Sequence, residues 1–290
     1  MNSKISSWDI GDIKITRIIE AERAGPMFVV PDAIPEEILK MPWLQPHFSD
    51  SEGNTIVSIH ALVIETDEKC IIVDTCLGND KERHIPQWNM LQTKFLEDLN
   101  EAGYSVDQID TVLCTHMHTD HVGWNTRLEN GVWVPTFPNA KYLFSSEELS
   151  SMQKESKSPY DEYTKLVYQD SILPIMESGQ ANIIDDSTDL GREINLIKTP
   201  GHSPGHYCVE INSKDRNGIL TGDVLHNPIQ VDCPSMSTVF CDDKDLSNET
   251  RVKIVDELTD SNTVVLAAHF SGTTAGVIKS NNNSRRFDLI

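Results

Sequence analysis

Apolar residues along the chain fall into two periods, and the changes between them outline the elements. Alternation over residues 10–19 predicts an early strand, and residues 55–65 followed by 69–75 predict a hairpin turning at Thr66-Asp67-Glu68, with a loop after it at Gly78-Asn79-Asp80. Over residues 88–102 the spacing lengthens, with Leu91, Phe95, Leu96 and Leu99 on one face and Gly103 as a stop, so a helix is expected. Residues 109–115 are short, β-branched and mostly apolar, the mark of a buried strand. Ser145 and Glu148 make a capping box ahead of a second helix, and residues 160–172 read as a third.

Strand patterns resume at residues 193–198, 207–211, 218–221 and 263–268, and between the last two Ser247 is expected to cap a helix that runs to Leu258. No Pro-rich or Gly/Ser-rich linker and no repeat interrupts this order. The expectation is one domain over residues 1–290 with a layered α/β fold, two sheets facing each other and helices outside. The Asn-rich stretch 280–284 reads as a flexible terminus or edge loop. Residues 20–55 hold two unusually apolar loop segments, Pro26 to Pro31 and Met41 to Leu44, which read as a lid or a dimer loop.

Composition narrows the partners. Asp and Glu number 45 against 24 Lys and Arg, a formal charge of −21, which disfavours nucleic acid and anionic lipid and either suits a small neutral or weakly charged substrate or simply serves solubility. The first residues contain no apolar signal core, no apolar run is long enough to span a bilayer, and six cysteines are scattered without a CxxC pair. A reducing cytoplasm is the expected compartment.

The chemistry concentrates where the strand at 109–115 ends. His116-Met117-His118-Thr119-Asp120-His121 places three imidazoles and a carboxylate in six positions. Such groups hold zinc and similar divalent ions, and a turning backbone can divide them between two adjacent metals. Three later strand ends carry further donors: His202 after Lys198-Thr199-Pro200-Gly201, Asp223 after Thr221-Gly222, and His269 after residues 264–268. Gly201 and Gly222 permit the close backbone approach that a small site needs.

In these residues the chain resembles the metallo-β-lactamase superfamily, whose HxHxDH motif followed by distant His, Asp and His is met by His116, His118, Asp120, His121, His202, Asp223 and His269. The resemblance runs from the hairpin before Asp74 to His269. It implies an αββα sandwich of two mixed β-sheets flanked by helices, and two divalent metal ions, zinc first, with Mn, Fe or Co tolerated by the same ligands. His116, His118 and His202 would hold one ion, Asp120, His121 and His269 the other, and Asp223 would bridge, with Asp120 also counted as catalytic. Two such ions activate one shared water for hydrolysis. His118 stands where flavodiiron relatives carry Glu, which argues against that redox branch.

Other residues keep two readings. Asp74 either orients the histidine loop, as its counterpart does in relatives, or caps a strand-end loop. His226 stands three residues after Asp223, where acyl-homoserine lactonases of the family carry Tyr and organophosphate-hydrolysing relatives resemble Gly-Asp-x-x-His. It either hydrogen-bonds the substrate oxygen or protonates a leaving group, or it is a structural histidine. His206 reads as a turn residue or a partner of the ligands. His47, His60 and His84 are given no role, and Trp124 and the 133–138 segment either wall the pocket or pack.

Hydrolysis of a neutral ester-like bond follows, a lactone first, with organophosphate triesters or aryl esters as the alternative and a homodimer admitted by the N-terminal loop. The 46 positions from Asp223 to His269 leave no room for a nucleic-acid-processing insertion, and the 21 residues after His269 are too few for the helical region of a glyoxalase II-like thioesterase. True β-lactamases depart from this cluster, and a binding protein without activity would be expected to have lost ligands.

Overall fold

Strands that are apolar throughout must be covered on both faces, and this requirement organises the structure. The computed structural model describes residues 4–25, 29–157, 162–185, 187–282 and 284–290. Its strands are β1 (Ile5–Ile10), β2 (Ile13–Gly25), β3 (Thr55–Glu65), β4 (Cys70–Val73), β5 (Thr111–Leu113), β6 (Thr126–Glu129), β7 (Val132–Pro135), β8 (Lys141–Phe144), β9 (Ala181–Ile183), β10 (Ile194–Lys198), β11 (Tyr207–Ser213), β12 (Arg216–Leu220), β13 (Val264–Leu266), β14 (Ala275–Asn281) and β15 (Ser284–Leu289). One sheet runs β1-β2-β3-β4-β5-β8-β9, the other β10 to β15 in order, and β6-β7 form a separate ribbon. Both large sheets are mixed, with parallel pairs β4-β5, β5-β8, β8-β9 and β12-β13.

The helices are α1 (Pro35–Ile38), α2 (Phe95–Glu101), α3 (Thr119–Val122), α4 (Ser146–Glu155), α5 (Glu162–Val167), α6 (Leu173–Ser178), α7 (Ile229–Asp232) and α8 (Lys244–Leu258). Side-chain alternation separates three cores. In the first sheet Ile72, Val112 and Tyr142 stand in register and point outward, onto Phe95 and Leu99 of α2 and Leu149 and Met152 of α4. Their neighbours Val73, Leu113 and Leu143 point inward and meet Val209, Leu220, Val264 and Leu266 of the second sheet. On the far side Ile219 and Val265 pack under Ile254, Val255 and Leu258 of α8. Helix, sheet, sheet and helix follow as layers, the αββα sandwich with two mixed sheets. Each fully buried Val, Leu or Ile contributes roughly 1.5–3 kcal/mol, so the parity of these short strands is strongly specified.

Local expectations needed five corrections. The early strand is a hairpin, β1 and β2, turning at Gly11-Asp12, with Gly11 at φ +61°. Within 88–102 only α2 is helical. Its first half pairs with residues 79–81 instead, the Asp80 N–H donating to the Leu91 carbonyl and the Met90 N–H to that of Lys81, with Met90 at φ +52°. Residues 162–178 pass from α5 through a π-helical turn, Tyr168–Ile172, into α6, so the third helix is wider and longer than its pattern, and residues 158–161 lie outside the described part. Helix α8 begins earlier than expected. Asp243, not Ser247, is its N-cap, accepting the Leu246 N–H, while Ser247 sits inside the helix and accepts from Arg251. Of the 280–284 stretch, Ser280 and Asn281 end β14 and Ser284 begins β15, with Asn282 at φ +57°, while Asn283 lies outside the described residues.

Of the segment expected as a lid, Pro26, Met27 and Phe28 lie outside the described residues. Val30, Ala33, Ile38, Leu44 and Phe48 pack into the core beneath α8, and Val29 lines the cavity beside the donors.

Candidate metal centre and its pocket

Strand ends bring the sequence-marked donors to one place, as open α/β layers do for their ligands. His116 and His118 follow β5, Asp120 and His121 form the turn α3, His202 lies beyond β10, Asp223 beyond β12 and His269 beyond β13. His116, His118, His202 and Asp223 offer donor atoms within 4.8 Å of one another, and Asp120, His121 and His269 form a second such group. His118 Nδ1 stands 3.1 Å from His116 Nε2 and 2.9 Å from His202 Nε2. Donors about 2 Å from a tetrahedral ion are themselves roughly 3.3 Å apart, so this spacing is close to what an ion imposes.

Asp223 joins the two groups. Its Oδ2 is 3.7 Å from His116 Nε2 and 3.3 Å from His202 Nε2, while Oδ1 is 3.4 Å from His121 Nε2 and 3.2 Å from His269 Nε2. His121 Nε2 and Asp223 Oδ1 are buried without a hydrogen-bond partner among the described residues. Leaving such atoms bare costs about 1–3 kcal/mol each. A pair of divalent ions would satisfy both, so the residues present fit a dinuclear site.

Electrostatics divides the cluster the same way. Burial, then neighbouring imidazoles, lowers His118 to about 3 and His202 to about 4, and pushes His116 well below its ordinary value, which keeps this group neutral and able to bind metal. Burial would also lower His121 and His269, but Asp223 and Asp120, joined by Asp74 at His121, hold both above the usual value. Burial would raise the Asp223 carboxyl, yet His269, His121, His226 and His116 hold it well below the carboxylate range. The carboxylates demand positive charge at the second group, from protons or from an ion.

The ligands' other atoms are anchored. Asp74, at the end of β4, accepts from His121 Nδ1 at 2.9 Å and from the Thr115 N–H at 2.8 Å. His269 Nδ1 donates to the Ser58 carbonyl at 3.0 Å. His206 is a positioning residue: its Nε2 accepts the Asp223 N–H at 3.0 Å, so its Nδ1–H donates to Thr199 Oγ1 at 2.8 Å. A Cβ on Gly222, at φ +48°, would lie 2.6 Å from His206 Nε2, and one on Gly201 would lie 2.3 Å from the Ser247 nitrogen. Both glycines are therefore demanded by close packing.

Glu148 is the participant that sequence reasoning missed. Ser145 caps α4 as the capping box requires, but the Glu148 carboxylate turns inward and accepts the Met117 N–H at 2.9 Å and the Gly205 N–H at 2.7 Å. It fastens the loop of His116 and His118 to the loop of His202. These partners lie 31 and 57 positions away, beyond any local pattern.

A cavity of ≈ 310 Å³ opens against the donors. Val57, Ile59, Trp88, Met152, Tyr163, Val167 and Phe240 contribute its apolar wall, Glu148, Glu155 and Asp242 its acidic side, and no Lys or Arg is among its described lining residues. His226 lines it as well. Its Nε2 is 3.1 Å from Asp223 Oδ2, neither ring nitrogen has a hydrogen-bond partner among the described residues, and burial keeps it neutral. Trp124 and Trp133 are packing residues. Trp124 stacks on Phe95 and donates to Glu20, and Trp133 lies under the Lys81 ammonium. His47, His60 and His84 join neither donor group.

Residues 54–269 match the Metallo-beta-lactamase superfamily. An N-acyl homoserine lactonase of Bacillus thuringiensis is 25% identical over 170 residues, 54% of this chain and 60% of the relative. A probable metallo-hydrolase of Mycobacterium tuberculosis is 23% identical over 179 residues, 58% of this chain and 57% of the relative. The matches thus span about three-fifths of the curated relatives' length. Among solved structures, the hydrolase AbOPH superposes with a TM-score of 0.81 at 24% identity, covering 100% of this chain and 98% of that one. The dizinc quorum-quenching lactonase AidC does so at 0.78 and 20%, covering 99% and 98%. At these identities the superpositions establish the fold.

Proposed function

The chain belongs to the metallo-beta-lactamase superfamily, and from that premise we propose that it is a hydrolase using two divalent metal ions, zinc first, on a neutral ester-like bond, most directly a lactone. The observation that carries this reading is the pairing of seven donors with an apolar cavity whose described lining contains no Lys or Arg. A carboxylate-bearing substrate would find no Lys or Arg among the described lining residues. It would face Glu155 and Asp242 instead, and burial together with Glu155 pushes Asp242 up to about 6. The likeness to acyl-homoserine lactonases supports the lactone in particular.

In this reading His116, His118 and His202 would hold one ion and Asp120, His121 and His269 the other, with Asp223 able to serve both groups. When bound, the ions lower the pKa of water and polarise a carbonyl. The remaining steps belong to side chains. His226, lining the cavity with its Nε2 3.1 Å from Asp223 Oδ2, donates to the substrate oxygen on which charge develops. Asp120, with one oxygen toward His121 and the other toward His269, takes the proton released by the attacking water and passes it to the alcohol oxygen that leaves as the ester opens. The apolar wall seats the acyl part and keeps bulk water away.

A phosphate triester or aryl ester is the second reading, favoured by His226 at the position where the lactonase branch carries Tyr. A reducing compartment suits the scattered, unpaired cysteines, and an N-terminal contact between two copies remains part of the proposal. The deciding experiment assays zinc-loaded protein on acyl-homoserine lactones, aryl esters, an aryl phosphotriester, hydroxyacylglutathione and a penicillin. Lactones should be cleaved fastest and the two anionic substrates slowest. Fastest turnover of either anion would sink the reading.

A further inference from the structure

A second buried group of charges lies beside the metal loop, and the chemistry above does not use it. The Arg83 guanidinium grips both oxygens of Asp170, Nη1 to Oδ2 at 2.6 Å and Nη2 to Oδ1 at 2.9 Å, and its Nε donates to Thr119 Oγ1 at 2.7 Å. Lys81 adds a contact to Asp170 Oδ1 at 3.3 Å and donates to Thr126 Oγ1 at 2.8 Å. Arg83, Asp170, Lys81 and Thr119 are all buried. Burying charges is costly even when they are paired, so such a group is weak evidence for stability and better evidence for a required geometry.

What the group joins gives that geometry its meaning. Thr119 stands between His118 and Asp120, a member of each donor group. Asp170 lies in the π-helical turn Tyr168–Ile172, a local widening of the kind that recurs at functional sites. That turn continues α5 directly, and Tyr163, Thr164 and Val167 of α5 line the cavity. One planar fork thus contacts the ligand loop with one nitrogen and the base of the cavity wall with the other two.

We propose that Arg83 is a positioning residue that couples the metal loop to the cavity wall, holding Thr119 in register with Asp170 and helix α5. The substrate meaning of the coupling rests on the reading that this cavity seats the substrate. The coupling itself does not. Binding of the second ion orders Asp120, the order passes through Thr119 and Arg83, and α5 tightens with it. Lysine cannot reproduce this because it lacks the three-nitrogen fork.

Because Arg83 variants would strand Asp170, the test uses Thr119. Thr119→Val keeps the side-chain shape and removes the acceptor, and Thr119→Ser keeps the acceptor. Zinc affinity is measured by chelator competition, and amide hydrogen exchange in Glu162–Val167 is followed with and without zinc. Removing an outer partner of a ligand typically weakens metal binding about 10–100-fold. Thr119→Val should lose affinity for the second zinc by about tenfold, at the lower end of that range, and zinc should no longer slow exchange in α5. Thr119→Ser should match the wild type in both. Wild-type exchange in α5 that ignores zinc, a valine variant that behaves as wild type, or a serine variant that behaves as valine would each overturn the coupling. Neither readout needs a substrate, so failure of the lactone reading would leave this test intact.

Discussion

The Asp74 carboxylate, standing at the end of β4, accepts the Nδ1–H of His121, which follows β5, at 2.9 Å. Because the same carboxylate takes the Thr115 N–H and hydroxyl, it ties the imidazole to the strand pair beneath it. Asp74→Asn can accept through one atom only and must turn its amide toward a donor. Its affinity for the second ion should fall about 10–100-fold, with the first ion retained. Elemental analysis after graded dialysis against chelator measures this.

Asp223 reaches both donor groups, Oδ2 toward His116 and His202 and Oδ1 toward His121, with His269 Nε2 3.2 Å from Oδ1 and 3.3 Å from Oδ2, so its loss differs in kind from that of any single imidazole. Asp223→Ala should retain little of either ion and lose every hydrolytic activity. Near-normal metal content in this variant would remove the bridging role.

His226 lines the cavity, and the donor group it makes with Asp223 and His269 shares both of those residues with the two groups above. His226→Ala should therefore keep both ions and shift the ratio of kcat/KM between lactone and phosphotriester. An unchanged ratio would leave His226 as wall packing.

Glu148 receives two backbone N–H groups from two ligand loops. Glu148→Ala leaves both donors buried and unpartnered, at about 1–3 kcal/mol each. A lower Tm and weaker binding of the first ion are expected together. Glu148→Gln, which still accepts one N–H, should fall between that variant and the wild type in both measurements.

Asp243→Ala removes the side-chain cap of α8 and should cost about 1 kcal/mol in denaturant unfolding. Metal content should not change. Equal stability would return the cap to another residue.

How much of this was legible in the chain depended on distance along it. The metal loop carries four donors in six positions, and the strands before it and before Asp223 and His269 announce themselves by unbroken apolar runs. Two-sided burial makes such runs unmistakable. The 88–102 helix failed because its apolar spacing belongs half to a loop held by residues 79–81, a pairing that periodicity does not encode. Ser247 and Asp243 are both competent caps, and only the path of the chain into α8 selects between them.

Residue types at strand ends, by themselves, determined the donor set, the layered fold class and the acidic surface, because ligand chemistry and alternation are properties of each residue and its near neighbours. Tertiary structure alone decided that Asp223 lies between two donor groups, that Glu148 and His206 hold the loops, and that the cavity beside them has no Lys or Arg among its described lining residues. Those facts depend on contacts between residues tens of positions apart. Such contacts form only when the two sheets close on their common core.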